Sequence, residues 1–186
     1  MDFPKHKVVG LCGYAGVGKD TAAMGLIAAG WVRIAFADAL RDEVAGVVGM
    51  DPDDFREQYA SDPEFKARMR PLLVKHGMSR RSTDKRYWID IIRNRIAGLP
   101  SWCAGAVVTD VRYPNEAEFI RKELGGVVLK IERPGASAAN AEEERTVSKV
   151  KADAALANDG SKEDLWIRVI KTVVELIIGK KETDED

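Results

Sequence analysis

The sequence predicts an α/β fold: a mainly parallel sheet with helices on both faces. Three observations carry this expectation. Short apolar runs alternate with segments of helical period along the chain. A glycine-rich turn separates the first apolar run from the first helix. Acidic residues follow two later runs, and open sheets of this class bind ligands beyond the carboxyl ends of their strands.

Taken in order, residues 8–12 read as a buried strand and 19–29 as a largely apolar helix stopped by Gly30. Residues 32–36 read as a second strand, with Asp38 as the N-cap of a helix to Val48. Asp62-Pro63 opens a helix carrying Phe65, Met69, Leu72, Leu73 and His76, which Pro71 is expected to kink or split. Trp88, Ile91, Ile92, Ile96 and Leu99 mark the next helix. A third strand covers 106–109, a helix 114–124 and a fourth strand 127–131. Residues 133–152 lack an apolar pattern and read as a mobile, charged excursion. A short fifth strand follows at 154–157. Ser161 and Asp164 form a capping box before a last helix faced by Trp166, Val169, Ile170, Val173 and Ile177. Gly179 is expected to close that helix, and the acidic tail, 182–186, to fray.

The chain has 186 residues, about one domain at roughly 150 residues per domain. A net charge of -1 argues against a nucleic-acid polymer as partner. The longest uncharged stretch, 14 residues at 96–109, is too short to span a bilayer. No signal-peptide pattern is read at the N-terminus. Cys12 and Cys103 lie far apart without metal spacing, and a reducing cytoplasm is the simplest setting.

The glycine-rich turn is Gly13-Tyr14-Ala15-Gly16-Val17-Gly18-Lys19-Asp20-Thr21, which contains the Walker A core G-x-x-x-x-G-K. Such a loop curls so that backbone N–H groups face phosphate oxygens, the helix N-terminus adds positive potential, and Lys19 reaches the β- and γ-phosphates. The glycine order excludes the dinucleotide fingerprint G-x-G-x-x-G. Thr21 is the candidate hydroxyl for phosphate or a metal-bound water. Asp20 either orders water on the metal or serves as an early acidic residue of the helix. Asp38 and Asp110 follow strands, where an acid can hold a Mg²⁺-bound water. Arg112 either neutralises phosphate or pairs with Glu116 one turn on.

Nine basic residues between Arg68 and Arg95, including Arg70 and Arg81, are interleaved with Tyr87 and Trp88. As a cluster they read as an anion pocket for a mononucleotide. Trp88 itself is in helical register with Ile91 and Ile92, which favours the core. Arg133 and Arg145 lie in the excursion, either as lid residues aimed at a transferring phosphoryl group or as ordinary exposed side chains. Asn158-Asp159-Gly160 lines the adenine or ribose end, or forms a turn. His6 and His76 have no metal spacing and read as structural or exposed.

Several blocks recur in an order that resembles the deoxynucleoside monophosphate kinases of bacteriophages. They are Gly13-x4-Gly18-Lys19-Asp20-Thr21, Phe36-Ala37-Asp38, Arg70-x-Leu72-Leu73, Gly77, Arg81, Tyr87-Trp88, Thr109-Asp110-x-Arg112-x-x-Asn115-Glu116, Arg133-Pro134-Gly135 and Asn158-Asp159-Gly160. The chain departs from that pattern at Val74, where relatives often carry Gln, and in lacking a His-x-Ser-Glu block in the excursion. The resemblance implies a three-layer P-loop NTPase fold with a helical acceptor-binding region near 50–100 and a lid near 133–152. It implies transfer of the ATP γ-phosphoryl group to a deoxynucleoside 5′-monophosphate with Mg²⁺. Lys19, Asp38, Arg112, Arg133 and Arg145 would be catalytic, and residues 13–21 with Asn158 would bind ATP. Asp38, Arg70, Arg81, Trp88, Asp110 and Arg112 would bind the acceptor, and Asp20, Thr21 and Asp110 the metal, directly or through water. A homodimer is compatible with this reading.

Overall fold

A computed structural model describes residues 6–183. In chain order the elements are β1 (Lys7–Cys12), α1 (Lys19–Ala28), β2 (Trp31–Ile34), α2 (Phe36–Val48), α3 (Pro52–Ser61), α4 (Pro63–Thr83), α5 (Tyr87–Ala97), β3 (Gly105–Val111), α6 (Pro114–Glu118), a π-helical turn (Phe119–Glu123), β4 (Val127–Glu132), α7 (Ala141–Val147), β5 (Ala154–Ala157) and α8 (Lys162–Thr183). They fall into two compact units, one of Met1–Ile34 with Ile96–Asp186 and one of Ala35–Arg95.

The first unit holds a five-stranded sheet of order β2-β3-β1-β4-β5, in which each neighbouring pair is parallel. Parallel neighbours need crossovers, so helices cover both faces. Val9, Leu11, Val107, Val127, Leu129 and Ile131 form a core with Ala22, Ala23 and Leu26 of α1 and with Leu165, Val169 and Val173 of α8. Full burial of one such branched side chain is worth about 1.5–3 kcal/mol, so this seam fixes which strand residues face α1 and α8. The opposite face receives the π-helical turn, where an added Cβ on Gly10 would lie 2.7 Å from Ile120 Cδ1.

The second unit is helical. Phe55 and Phe65 meet edge to face at 5.2 Å, and pack with Val44, Ala45 and Leu73 of α2 and α4. This unit spans Ala35–Arg95, and its last helix, α5, continues to Ala97.

Other differences have local causes. The second strand stops at Ile34 and α2 starts at Phe36 with Ala35 as N-cap, so Asp38 sits in the first turn instead of capping the helix. Helix α3 was not anticipated. Pro71 does not split α4: the Ala67 carbonyl, which loses its usual amide partner, lies on an exposed face open to water. The 114–124 helix widens into the π-helical turn after Glu118. The excursion contains α7, with Glu143, Val147 and Val150 buried. Ile170 is exposed, and α8 runs through Gly179 to Thr183. The end of the acidic tail, 184–186, lies outside the described residues.

Candidate functional site: a phosphate loop

The loop between β1 and α1 owes its course to glycine. Gly13, Gly16 and Gly18 have φ of +136°, +76° and +95°, a region that side chains disfavour. At Gly13 an added Cβ would lie 2.4 Å from the Ile131 carbonyl oxygen; at Gly18 it would lie 2.5 Å from Asn158 Nδ2. Asn158 in turn donates to the Val17 carbonyl at 2.8 Å. It therefore buttresses the loop from behind, a role the sequence reading did not assign. Helix α1 is anchored by the Ala22 N–H on Gly18 O at 2.8 Å and by Trp166 Nε1–H on the Thr21 carbonyl at 2.7 Å.

Lys19 folds its ammonium back over the loop, donating to the Gly13 and Tyr14 carbonyls at 2.8 and 2.7 Å. Burial pushes its pKa below the ordinary lysine value, and the Arg112 guanidinium adds to that; Glu143, Asp110 and Asp20 oppose it. The charges of Asp110 and Arg112 thus both act on Lys19, as does that of Glu143, a residue the sequence did not mark. Glu143 is 4 % exposed. Its Oε1 accepts the Ala15 N–H at 3.0 Å, and its Oε2 the Ala139 N–H at 2.7 Å. No motif marks this residue; the signal lay in three consecutive glutamates inside a segment without an obvious core pattern.

The remaining candidates fall as follows. Asp20 pairs with Arg33 at 3.2 Å, its side chain 77 % exposed. Arg112 donates its backbone N–H to Glu116, which also accepts from the Tyr113 N–H. Arg133 and Arg145 are exposed, and the excursion side chains that reach the loop are carboxylates. The Thr109 hydroxyl is buried beside Asp110 without a hydrogen-bond partner. Among the described residues no group of three or more His, Cys, Asp or Glu could hold a metal ion. Mg²⁺ takes one or two carboxylates, substrate phosphates and waters. Asp110 and Thr21 would hold it here, and Asp20 is turned to Arg33.

In the helical unit Asp38 accepts from Arg41 Nη1 at 2.7 Å. Four members of the basic cluster are paired with carboxylates: Arg80 with Glu43, Arg86 and Arg93 with Asp90, and Arg95 with Asp42. Arg70 is exposed beside Pro71, Val74 and Lys75 in an open groove along α4 of about 840 Å³, and Arg81 is half-buried. Trp88 is a core residue, 4 % exposed, donating Nε1–H to the Gly77 carbonyl at 3.3 Å; it presents no face for a base to stack on.

No family model matches the sequence. A protein of Acanthamoeba polyphaga mimivirus, provisionally named deoxynucleotide monophosphate kinase, is 30% identical over 190 residues, covering 89% of this chain and 95% of its own. Among solved structures, a gluconokinase from Sinorhizobium meliloti matches with a TM-score of 0.51 at 12% identity over 98% of this chain and 99% of its own. A shikimate kinase from Aquifex aeolicus matches at 0.49 and 14% identity over 92% and 99%. The gluconokinase match, with the sheet order and phosphate loop above, shows a three-layer P-loop fold.

Proposed function

Because the chain belongs to the deoxynucleotide monophosphate kinase family, we propose that it transfers the ATP γ-phosphoryl group to a deoxynucleoside 5′-monophosphate, giving the diphosphate and ADP. The observation that carries this reading is the loop: three glycines of positive φ ahead of a helix N-terminus, with the Lys19 ammonium held above them.

The chemistry asks little covalent work of the protein. A phosphate monoester has a second pKa near about 6, so the acceptor is already anionic at neutral pH and needs no general base. The enzyme must hold two highly charged groups together, cancel their repulsion and exclude water. Backbone amides of 13–21 cradle the donor phosphates. Lys19 leaves its loop carbonyls for the β- and γ-oxygens. Arg112, close enough to depress the Lys19 pKa, neutralises the transferring group. Arg70 and Arg81 supply cations for the acceptor phosphate, and Arg133 and Arg145 would join the site once the excursion moves. Mg²⁺, bound through the phosphates, Asp110 and Thr21, would neutralise charge on the donor.

A hydroxyl acceptor would instead need a base, with Asp38 the candidate. One Asp38 oxygen accepts from Arg41 Nη1. The test is ADP release across deoxy- and ribonucleoside monophosphates and dephospho-coenzyme A, with Lys19→Ala alongside. The expected result is release that depends on a deoxynucleoside monophosphate and falls at least about 10²-fold in Lys19→Ala, with an unchanged far-UV spectrum. Response to dephospho-coenzyme A alone would assign a hydroxyl kinase. Slow ATPase activity indifferent to acceptor would assign a nucleotide switch.

A further inference from the structure

A loop built for phosphate presents inward N–H groups, a helix N-terminus and an ammonium, with no counter-charge of its own. Here a carboxylate supplies one. Glu143 accepts the Ala15 N–H with one oxygen and the Ala139 N–H with the other, and Asn140 Oδ1 accepts the Glu143 N–H at 2.9 Å. Its neighbours repeat the attachment: Glu144 Oε2 accepts the Tyr14 hydroxyl at 2.9 Å, and Glu142 Oε1 accepts the Tyr113 hydroxyl at 2.6 Å. Three consecutive acids thus tie α7 to the loop and to the segment after β3. A buried carboxylate is costly unless strong donors replace its water. Glu143 is nearly fully buried, and a donor it uses belongs to the phosphate loop. One N–H donates one good hydrogen bond, so Ala15 cannot serve Glu143 and a phosphate oxygen at once.

We propose that Glu143 is an internal anion seated on the phosphate loop of the nucleotide-free chain, and that the incoming triphosphate displaces it and releases α7. Binding of nucleotide and release of the excursion are then one equilibrium. The carboxylate competes with ligand for the same donor, so the apparent affinity is reduced by the fraction of chains in which Glu143 is seated. The contact also keeps water and weaker anions off the loop until a polyanion arrives. This rests on the reading of the loop as an ATP site.

The test uses the full chain, a non-hydrolysable ATP analogue with Mg²⁺, calorimetry and amide hydrogen exchange. In the wild type the analogue is expected to slow exchange at Ala15 and to speed it severalfold across 139–147. Glu143→Ala is expected to bind the analogue several-fold more tightly. Glu143→Gln, which keeps the volume and one acceptor oxygen, should fall between, and carries the comparison if the alanine variant fails to fold. Slower exchange at 139–147 on binding, or weaker binding by both variants, would make Glu143 a strut of the loop and overturn the proposal while leaving the ATP site intact. No binding by the wild type or by either variant would remove the ATP site itself, and the proposal with it.

Discussion

Glu43 shows what a single side chain does in the helical unit. Its carboxylate accepts from the Tyr87 hydroxyl, from His76 Nε2–H at 2.8 Å and from Arg80 Nε–H at 3.1 Å. The Arg80 guanidinium lies 5.0 Å over the Tyr87 ring, and Trp88 meets that ring edge-on at 5.1 Å. Burial alone would raise the Glu43 pKa, but the hydrogen bonds from Tyr87 and His76 and the charge of Arg80 outweigh it and hold the carboxyl below its ordinary 4.5. A folded-state pKa depressed in this way adds stability that is fully present above 4.5 and is lost as pH falls through the folded value. Glu43→Gln should therefore melt below the wild type at neutral pH, with the gap closing on acidification. Thermal melts of both proteins from neutral pH downward check this; a gap that widened in acid would contradict it. None of this was legible in the sequence, because three residues 33 to 44 positions from Glu43 meet it only after folding.

At the scale of elements, two helices in the same unit open with the same signal. Asp51 caps α3, accepting from the Asp53 N–H at 2.8 Å, and Asp62 caps α4, accepting from the Glu64 N–H at 2.8 Å; each is followed by proline. The second was legible because apolar residues continue behind it. The first was not, because α3 buries a single side chain, Phe55, and offers no apolar stripe to read. A helix so thinly anchored leans on its cap. Asp51→Ala should cost roughly 1 kcal/mol in urea unfolding, and Asp51→Ser much less. An alanine variant as stable as the wild type would mean that packing around Phe55 alone sustains α3. The excursion was misread for a related reason: its buried face comprises Glu143, Val147 and Val150, and a carboxylate does not register as core until its donors are known.

For the whole molecule, the central strand is shielded on both sides by its neighbours. Cys12 ends β1, fully buried between β3 and β4, and burial pushes its thiol up to about 11. Cys103 is also buried, its Sγ 3.5 Å from His6 Nδ1. At neutral pH a disulfide-exchange reagent should label neither thiol at an appreciable rate in the folded chain and both in denaturant. Mass spectrometry along a denaturant series should place Cys12 labelling on the global unfolding transition; labelling of Cys12 in native buffer would show that the sheet opens locally. Among the described residues no helix is long and apolar enough to cross a membrane.

The sequence by itself determined the alternation of strands and helices, the phosphate loop, and the placing of Asp110 near the end of β3 with Arg112 just beyond it. These follow from local rules: apolar period, the conformations that glycine alone adopts, and caps within a few residues. Tertiary structure decided the parallel order β2-β3-β1-β4-β5, the pairing of four arginines of the basic cluster and the burial of Trp88. It also seated Glu143 on Ala15, 128 residues away. Charge pairing and competition for one amide depend on distance in space, which residue order does not encode locally.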